Sequence, residues 1–214
     1  MNTRYKAVIF DLDGVITDTA RFHYLAWKRL ADGVGAPFDE AANEALKGID
    51  RMGSLELILA RAPRAFGPDE KLALAEDKNR HYRELVATMT PADLLPGALR
   101  ALEQVREAGL AIGLASVSKN AFTVLDRLGI RDRFDHVVDA ASVANSKPDP
   151  EIFLRAAQAL RVAPGDCLGV EDAVAGVAAI KAAGMTAVGV GDPRVLGQAD
   201  RVIPSLAHFR LYDY

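Results

Sequence analysis

Ala7-Val8-Ile9-Phe10 is a short apolar run without alternation, and it stops at a pair of carboxylates one residue apart, Asp11-Leu12-Asp13, followed by Gly14. A run of that length and pattern suits a strand buried on both faces of a parallel sheet. Similar runs recur at Ala111 to Ala115, Val137 to Asp139, Cys167 to Val170 and Thr186 to Val190. Segments of helical period separate them: Pro96 to Ala108, Ala121 to Leu128, Pro150 to Leu160 and Ala173 to Ala183. Gly109 and Gly184 follow the first and last of these as stop signals. Alternation of strand and helix predicts an α/β fold with a doubly wound, mainly parallel sheet.

The stretch between the first two strands breaks that rhythm and reads as helix throughout. Its expected helices are Ala20 to Leu30, Asp39 to Leu46, Arg51 to Arg61 and Pro68 to Met89, broken at Gly33 to Pro37, Gly48 and Pro63. The expectation is a Rossmann-like catalytic core over 1–16 and 93–214 with an inserted all-helical cap domain over 17–92. The two crossings, near Gly14 to Asp18 and Pro91 to Pro96, are candidate hinges.

With 214 residues, half of them hydrophobic, the chain can bury a sizeable core. Its 26 basic and 29 acidic residues are spread along it, for a net charge of −3, so no basic tract argues for nucleic acid or an acidic membrane surface. Any anionic ligand must be recognised locally. The amino terminus has no signal-peptide pattern, and no run approaches the roughly 20 apolar residues of a membrane span. The expectation is a cytoplasmic protein. No extended apolar stripe calls for a partner chain, so a monomer is expected. The one cysteine, Cys167, lies in an apolar run and reads as packed core.

Ligands of open α/β sheets sit beyond the carboxyl ends of the strands, and each apolar run here is followed by polar chemistry. Strand one ends in Asp11-Leu12-Asp13-Gly14 and strand two in Ser116; the third is followed by Ser146-Lys147-Pro148, and the fourth ends in Glu171-Asp172. Four carboxylates in one crevice repel each other by several kcal/mol at an effective dielectric near 20 unless a cation neutralises them. Oxygen donors without clustered histidines or a usable cysteine point to magnesium rather than zinc. Asp11 and Asp13, two apart on an extended segment, face the same side. One can attack while the other handles protons, which is the arrangement for covalent phosphoryl transfer through an aspartyl-phosphate.

The string Val8 to Thr19, with Ser116, Lys147-Pro148 and Glu171-Asp172 in order, resembles the haloacid dehalogenase superfamily of phosphotransferases, in its sugar-phosphate mutase branch. The resemblance implies Asp11 as nucleophile and metal ligand, and Asp13 as general acid/base with its backbone carbonyl on Mg2+. Glu171 and Asp172 complete the metal site, and Ser116 and Lys147 hold the transferring phosphoryl group. It also implies that Ser116-Val117-Ser118-Lys119-Asn120 binds the phosphate at the other end of the sugar. In the cap, Leu46-Lys47-Gly48-Ile49-Asp50-Arg51 resembles the specificity loop, with Arg51 on the non-reacting phosphate; Thr19, His23, Trp27, Ser54 and Lys78 match closure and sugar-binding positions. Read alone, Lys47 and Arg51 would be solvated cations, and Trp27 with His23 one turn away would be cap core. Val117 replaces a smaller residue, and Asp50 adds a negative charge beside Arg51.

The reaction so implied interconverts β-D-glucose 1-phosphate and glucose 6-phosphate, with β-D-glucose 1,6-bisphosphate as intermediate and activator. A phosphatase of sugar phosphates or phosphoglycolate would carry the same Asp pair and a similar cap. A non-catalytic phosphosugar-binding regulator on the same fold would need neither Asp11 nor Asp13 as a pair.

Overall fold

The computed structural model of the chain describes residues 3–46 and 49–214. It divides into two compact units, Met1–Asp18 with Thr90–Tyr214, and Thr19–Met89.

The first unit carries a six-stranded sheet. Its strands are β1 (Ala7–Phe10), β2 (Ala111–Leu114), β3 (His136–Val137), β4 (Cys167–Glu171), β5 (Thr186–Val190) and β6 (Arg201–Ile203), in spatial order β3-β2-β1-β4-β5-β6. Every ladder is parallel, so the sheet is wholly rather than mainly so. β1 lies between β2 and β4 and all four of its residues are fully buried, which is why it reads as continuous apolar sequence. Cys167 belongs to this core, where burial pushes its thiol up to about 11 and Sγ donates to the Ala163 carbonyl at 3.4 Å.

Two edge strands depart from expectation. β3 is two residues long, because Asp139 turns the chain instead, its carboxylate accepting the Ala141 N–H at 2.9 Å to cap a 3-10 turn. β6 has no counterpart among the apolar runs; it is an edge strand of three residues with exposed Arg201, and it contributes too little buried surface to stand out in sequence.

The second unit contains α1 (Ala20–Val34), α2 (Glu40–Glu44), α3 (Arg51–Leu59) and α4 (Pro68–Val86). α1 runs through Gly33 and ends at Gly35, whose φ of 71° supplies the left-handed turn. The expected break at Gly33 is therefore two residues early; one helical glycine costs only about 1 kcal/mol, and packing absorbs it. Trp27, Leu30, Ala31, Leu55, Ile58 and Ala75 are among the buried residues of this unit's own core.

In the first unit the strands alternate with α5 (Ala98–Glu107), α6 (Ala121–Leu128), α7 (Glu151–Leu160) and α8 (Val174–Ala182). Among the described residues no helix is long and apolar enough to cross a membrane.

Candidate active site

The register of the sheet brings the carboxyl ends of β1, β2 and β4 side by side: Phe10 lies opposite both Leu114 and Val170. The Asp11 N–H donates to the Val170 carbonyl at 2.9 Å, and the Ala115 N–H to the Phe10 carbonyl at 2.9 Å. Asp11, Ser116 and Glu171 thus leave the sheet from neighbouring positions.

Beyond Phe10 the chain forms a tight loop. The Gly14 N–H donates to the Thr17 carbonyl at 2.7 Å, and the Thr17 hydroxyl donates to the Asp93 carbonyl at 2.7 Å. Gly14 has a φ of 80°, and a Cβ there would collide with the Asp172 carboxylate, so this position needs glycine for both conformation and space. Gly176, in the first turn of α8, stands in the same relation to Glu171, whose carboxylate occupies the space a Cβ would take. Nothing in the sequence pattern singled Gly176 out; a glycine early in a helix that follows an acidic strand end is the signal that would have found it.

Lys147 joins the strand ends from the other side. Its Nζ donates to Asp11 Oδ1 at 2.5 Å and to Glu171 Oε2 at 2.8 Å, and all three groups are buried. Burial alone would lower the Lys147 pKa, but Asp11 and Glu171 outweigh it and the net direction is up, so the ammonium stays charged. Burial first, and the charge of Asp11 second, push the Glu171 carboxyl up. The Lys147-Pro148 peptide bond is cis.

Carboxylate oxygens of Asp11, Glu171 and Asp172 all lie within 4.8 Å of one another. Three carboxylates gathered around one ammonium leave an excess of acidic groups that a divalent cation would offset. An all-oxygen donor set of this kind fits Mg2+. The Asp13 carboxylate is not one of the three; Asp13 lies half-buried in the loop, in a bridge with Thr17.

Around Ser116 the backbone folds onto side-chain oxygens. Ser116 Oγ accepts the Ser118 N–H at 3.2 Å and Ser118 Oγ accepts the Asn120 N–H at 3.3 Å. Ser116 and Asn120 are buried, Lys119 is exposed, and Val117 packs against the core.

The helical unit gathers a second set of groups. Lys78 is buried; its Nζ lies 4.3 Å from the Trp27 ring centroid, 4.8 Å from that of Tyr82 and 3.0 Å from His23 Nδ1. An ammonium can only donate, so His23 Nδ1 accepts and the imidazole is neutral with its proton on Nε2. Burial, then Lys78, then Arg51 hold the His23 pKa well below its ordinary value. Arg51 opens α3 and its Nη2 donates to Asn79 Oδ1 at 2.8 Å. The Asp50 carboxylate beside it accepts the Gly53 N–H at 2.9 Å, capping α3. Ser54 and Thr19 are buried, Thr19 without a side-chain capping bond to α1. Lys47 and Gly48 lie outside the described residues.

An Asp pair after a central strand, with an acidic pair at the end of a neighbouring strand and a buried lysine from the segment before α7, defines a class. Residues 5–184 match the haloacid dehalogenase-like hydrolase family, and the chain belongs to that family. Within it, the chain is similar to β-phosphoglucomutase of Bacillus subtilis (strain 168), 52% identical over 200 residues, which is 92% of this chain and 88% of that protein. A crystal structure of β-phosphoglucomutase from Clostridium difficile superposes with a TM-score of 0.95 at 47% identity, covering 98% of this chain and 95% of that one. Fructose-1-phosphate phosphatase of Escherichia coli (strain K12) is more distant: 35% identical, over 89% of this chain and 98% of that protein.

Proposed function

We infer that this protein is a β-phosphoglucomutase, an isomerase that interconverts β-D-glucose 1-phosphate and D-glucose 6-phosphate. The observation that carries the reading is the identity of 52% with a mutase against 35% with a sugar-phosphate phosphatase, at similar coverage of this chain. The buried Asp11–Lys147–Glu171 array supplies the chemistry that such an enzyme needs.

The proposed course has two halves. The aspartyl-phosphate of Asp11 donates first: Asp13 removes the proton of the 6-hydroxyl of β-D-glucose 1-phosphate, and that oxygen bonds the phosphorus as the bond to Asp11 breaks, giving the bisphosphate. In the second half the bisphosphate turns end for end; Asp11 attacks the phosphorus of the 1-phosphate, the bond from phosphorus to the sugar oxygen breaks, and Asp13 gives its proton to that oxygen, so that glucose 6-phosphate leaves a phosphorylated enzyme. β-D-Glucose 1,6-bisphosphate is the proposed intermediate and activator. Lys147 and Ser116 hold the transferring group, Lys147 by a charge already fixed against Asp11 before substrate arrives. Mg2+, held by Asp11, Glu171 and Asp172 with the Asp13 carbonyl, supplies the positive charge that lets a phosphate dianion approach a carboxylate.

The remaining site residues are assigned by the resemblance to the family. Arg51 is the cation for the non-reacting phosphate, with Ser118, Lys119, Asn120 and Val117 as the loop that binds it and Lys47-Gly48 in the specificity loop. Lys78, His23, Trp27 and Ser54 are assigned to the sugar, and Thr19 to closure. We place this activity in a cytoplasmic monomer, which light scattering of the purified protein tests.

The reaction is tested by following glucose 6-phosphate formation from β-glucose 1-phosphate with Mg2+ and a trace of bisphosphate, with free phosphate recorded in parallel. Fast isomerisation with little phosphate release is expected; phosphate release without isomerisation would make the protein a phosphatase. Asp11→Asn is expected to abolish trapping by beryllium fluoride and Mg2+, and retained trapping would remove Asp11 from the role of nucleophile.

A further inference from the structure

We propose that Asn79 is a positioning residue for substrate specificity: it holds the Arg51 guanidinium in place for a phosphate while leaving that cation's charge unspent. The inference rests on the mutase reading, in which Arg51 takes the non-reacting phosphate. Arg51 Nη2 donates to Asn79 Oδ1 at 2.8 Å, across 28 residues of sequence and from the start of α3 to the middle of α4. Both side chains are half-buried. An arginine carries about 2 kcal/mol of rotamer entropy, so an unbraced one would lose part of its binding energy on being ordered by a ligand. A carboxylate in the place of Asn79 would brace it equally well but would satisfy the guanidinium with a charge of its own. The amide is the acceptor that orients without neutralising.

The neighbouring residue points the same way. Lys78, one position earlier on α4, is held by the faces of Trp27 and Tyr82 and by neutral His23 Nδ1. One turn of α4 thereby carries one cation, Lys78, and the amide that orients a second, Arg51. Both cations belong to the same pair of helices, Lys78 on α4 itself and Arg51 at the start of α3 with its bond to Asn79 on α4. The chemistry that such a pair selects is a ligand carrying a second anionic group besides the one that reacts.

The test compares two phosphoryl donors in the full-length Mg2+ enzyme: β-glucose 1-phosphate in the presence of bisphosphate, and acetyl phosphate, which has no second phosphate. Asn79→Ala should lower kcat/KM for the sugar phosphate about tenfold relative to that for acetyl phosphate, mainly through KM. Asn79→Asp, equal in shape and still an acceptor, should shift the same ratio further. In an Arg51→Ala background, Asn79→Ala should add nothing. A purely structural brace would lower both donors together, and Asn79→Asp would then behave like the parent; either result overturns the proposal. A parent enzyme that phosphorylates Asp11 from acetyl phosphate but never isomerises the sugar phosphate would instead sink the mutase reading. Normal isomerisation with an unmoved Asn79→Ala ratio would sink the inference alone.

Discussion

Lys147→Ala takes one ammonium away from two carboxylates that it touches at 2.5 and 2.8 Å. The Lys147 and Glu171 side chains are each 2% exposed and that of Asp11 8%, so solvent and salt screen these contacts little. Removing one partner of a buried ion pair leaves the other charge uncompensated and typically costs about 3–5 kcal/mol. At about 2–4 °C per kcal/mol for a chain of this size, the metal-free variant should melt about 10 °C below the parent at neutral pH. The variant site keeps all three carboxylates without the ammonium, so it attracts a divalent cation more strongly than the parent site does. Saturating Mg2+ should therefore raise the variant's Tm more than the parent's and narrow the gap. Activity should not follow, because a cation fixed against the nucleophile is worth about 10² to 10³ in kcat, and that loss persists in saturating metal. Calorimetry with and without Mg2+, alongside the isomerase assay, reads both quantities. A Tm gap that ignores Mg2+, or a variant within tenfold of parental kcat, would refute the account of Lys147 as a charge shared between structure and catalysis.

Gly176→Ala places a methyl group where the Glu171 carboxylate sits, and moving that carboxylate should weaken Mg2+ binding about 10- to 100-fold, read by titration calorimetry; unaltered affinity would show that Glu171 is free to shift or does not ligate. His23 is neutral in the fold, with its pKa held down chiefly by burial, while in the unfolded chain it protonates near 6.5. The unfolded state then binds more protons between these two values, so the stability is fully present above about pH 6.5 and falls as the pH drops from there, by up to about 1.4 kcal/mol per pH unit. His23→Gln, which keeps an acceptor for Lys78, should flatten the dependence of unfolding free energy on pH between 6.5 and 5, and an equal slope in both proteins would contradict the assignment.

What sequence could reveal of this architecture depended on whether a residue's neighbours along the chain carry its reason. Val8-Ile9-Phe10 announces a central strand because burial on both faces removes any alternation, and Asp11 at its end inherits a position at the ligand edge. Ser116 and Glu171 follow by the same logic, since β2 and β4 flank β1 in register. Lys147 is different in kind: it follows no central strand, and only the return of the chain before α7 brings its Nζ onto Asp11, 136 residues away. The polar segment after the third apolar run, and the family motif, placed it at the crevice; neither shows which carboxylates its Nζ meets. Asn79 had neither route. On α4 it is a polar residue on a half-buried face, indistinguishable by pattern from Asp77 or Glu76, and its meaning depends on α3 packing so that Arg51 reaches it. Asp50 shows the converse. Its charge beside Arg51 looked adverse in sequence, yet an aspartate three residues before a glycine N–H at a helix start caps that helix, and capping stabilises the turn that presents Arg51. The helical unit's polar groups are thus organised by contacts between helices that no local window contains, and residues such as Asn79 are where specificity can be read only after the helices have been packed.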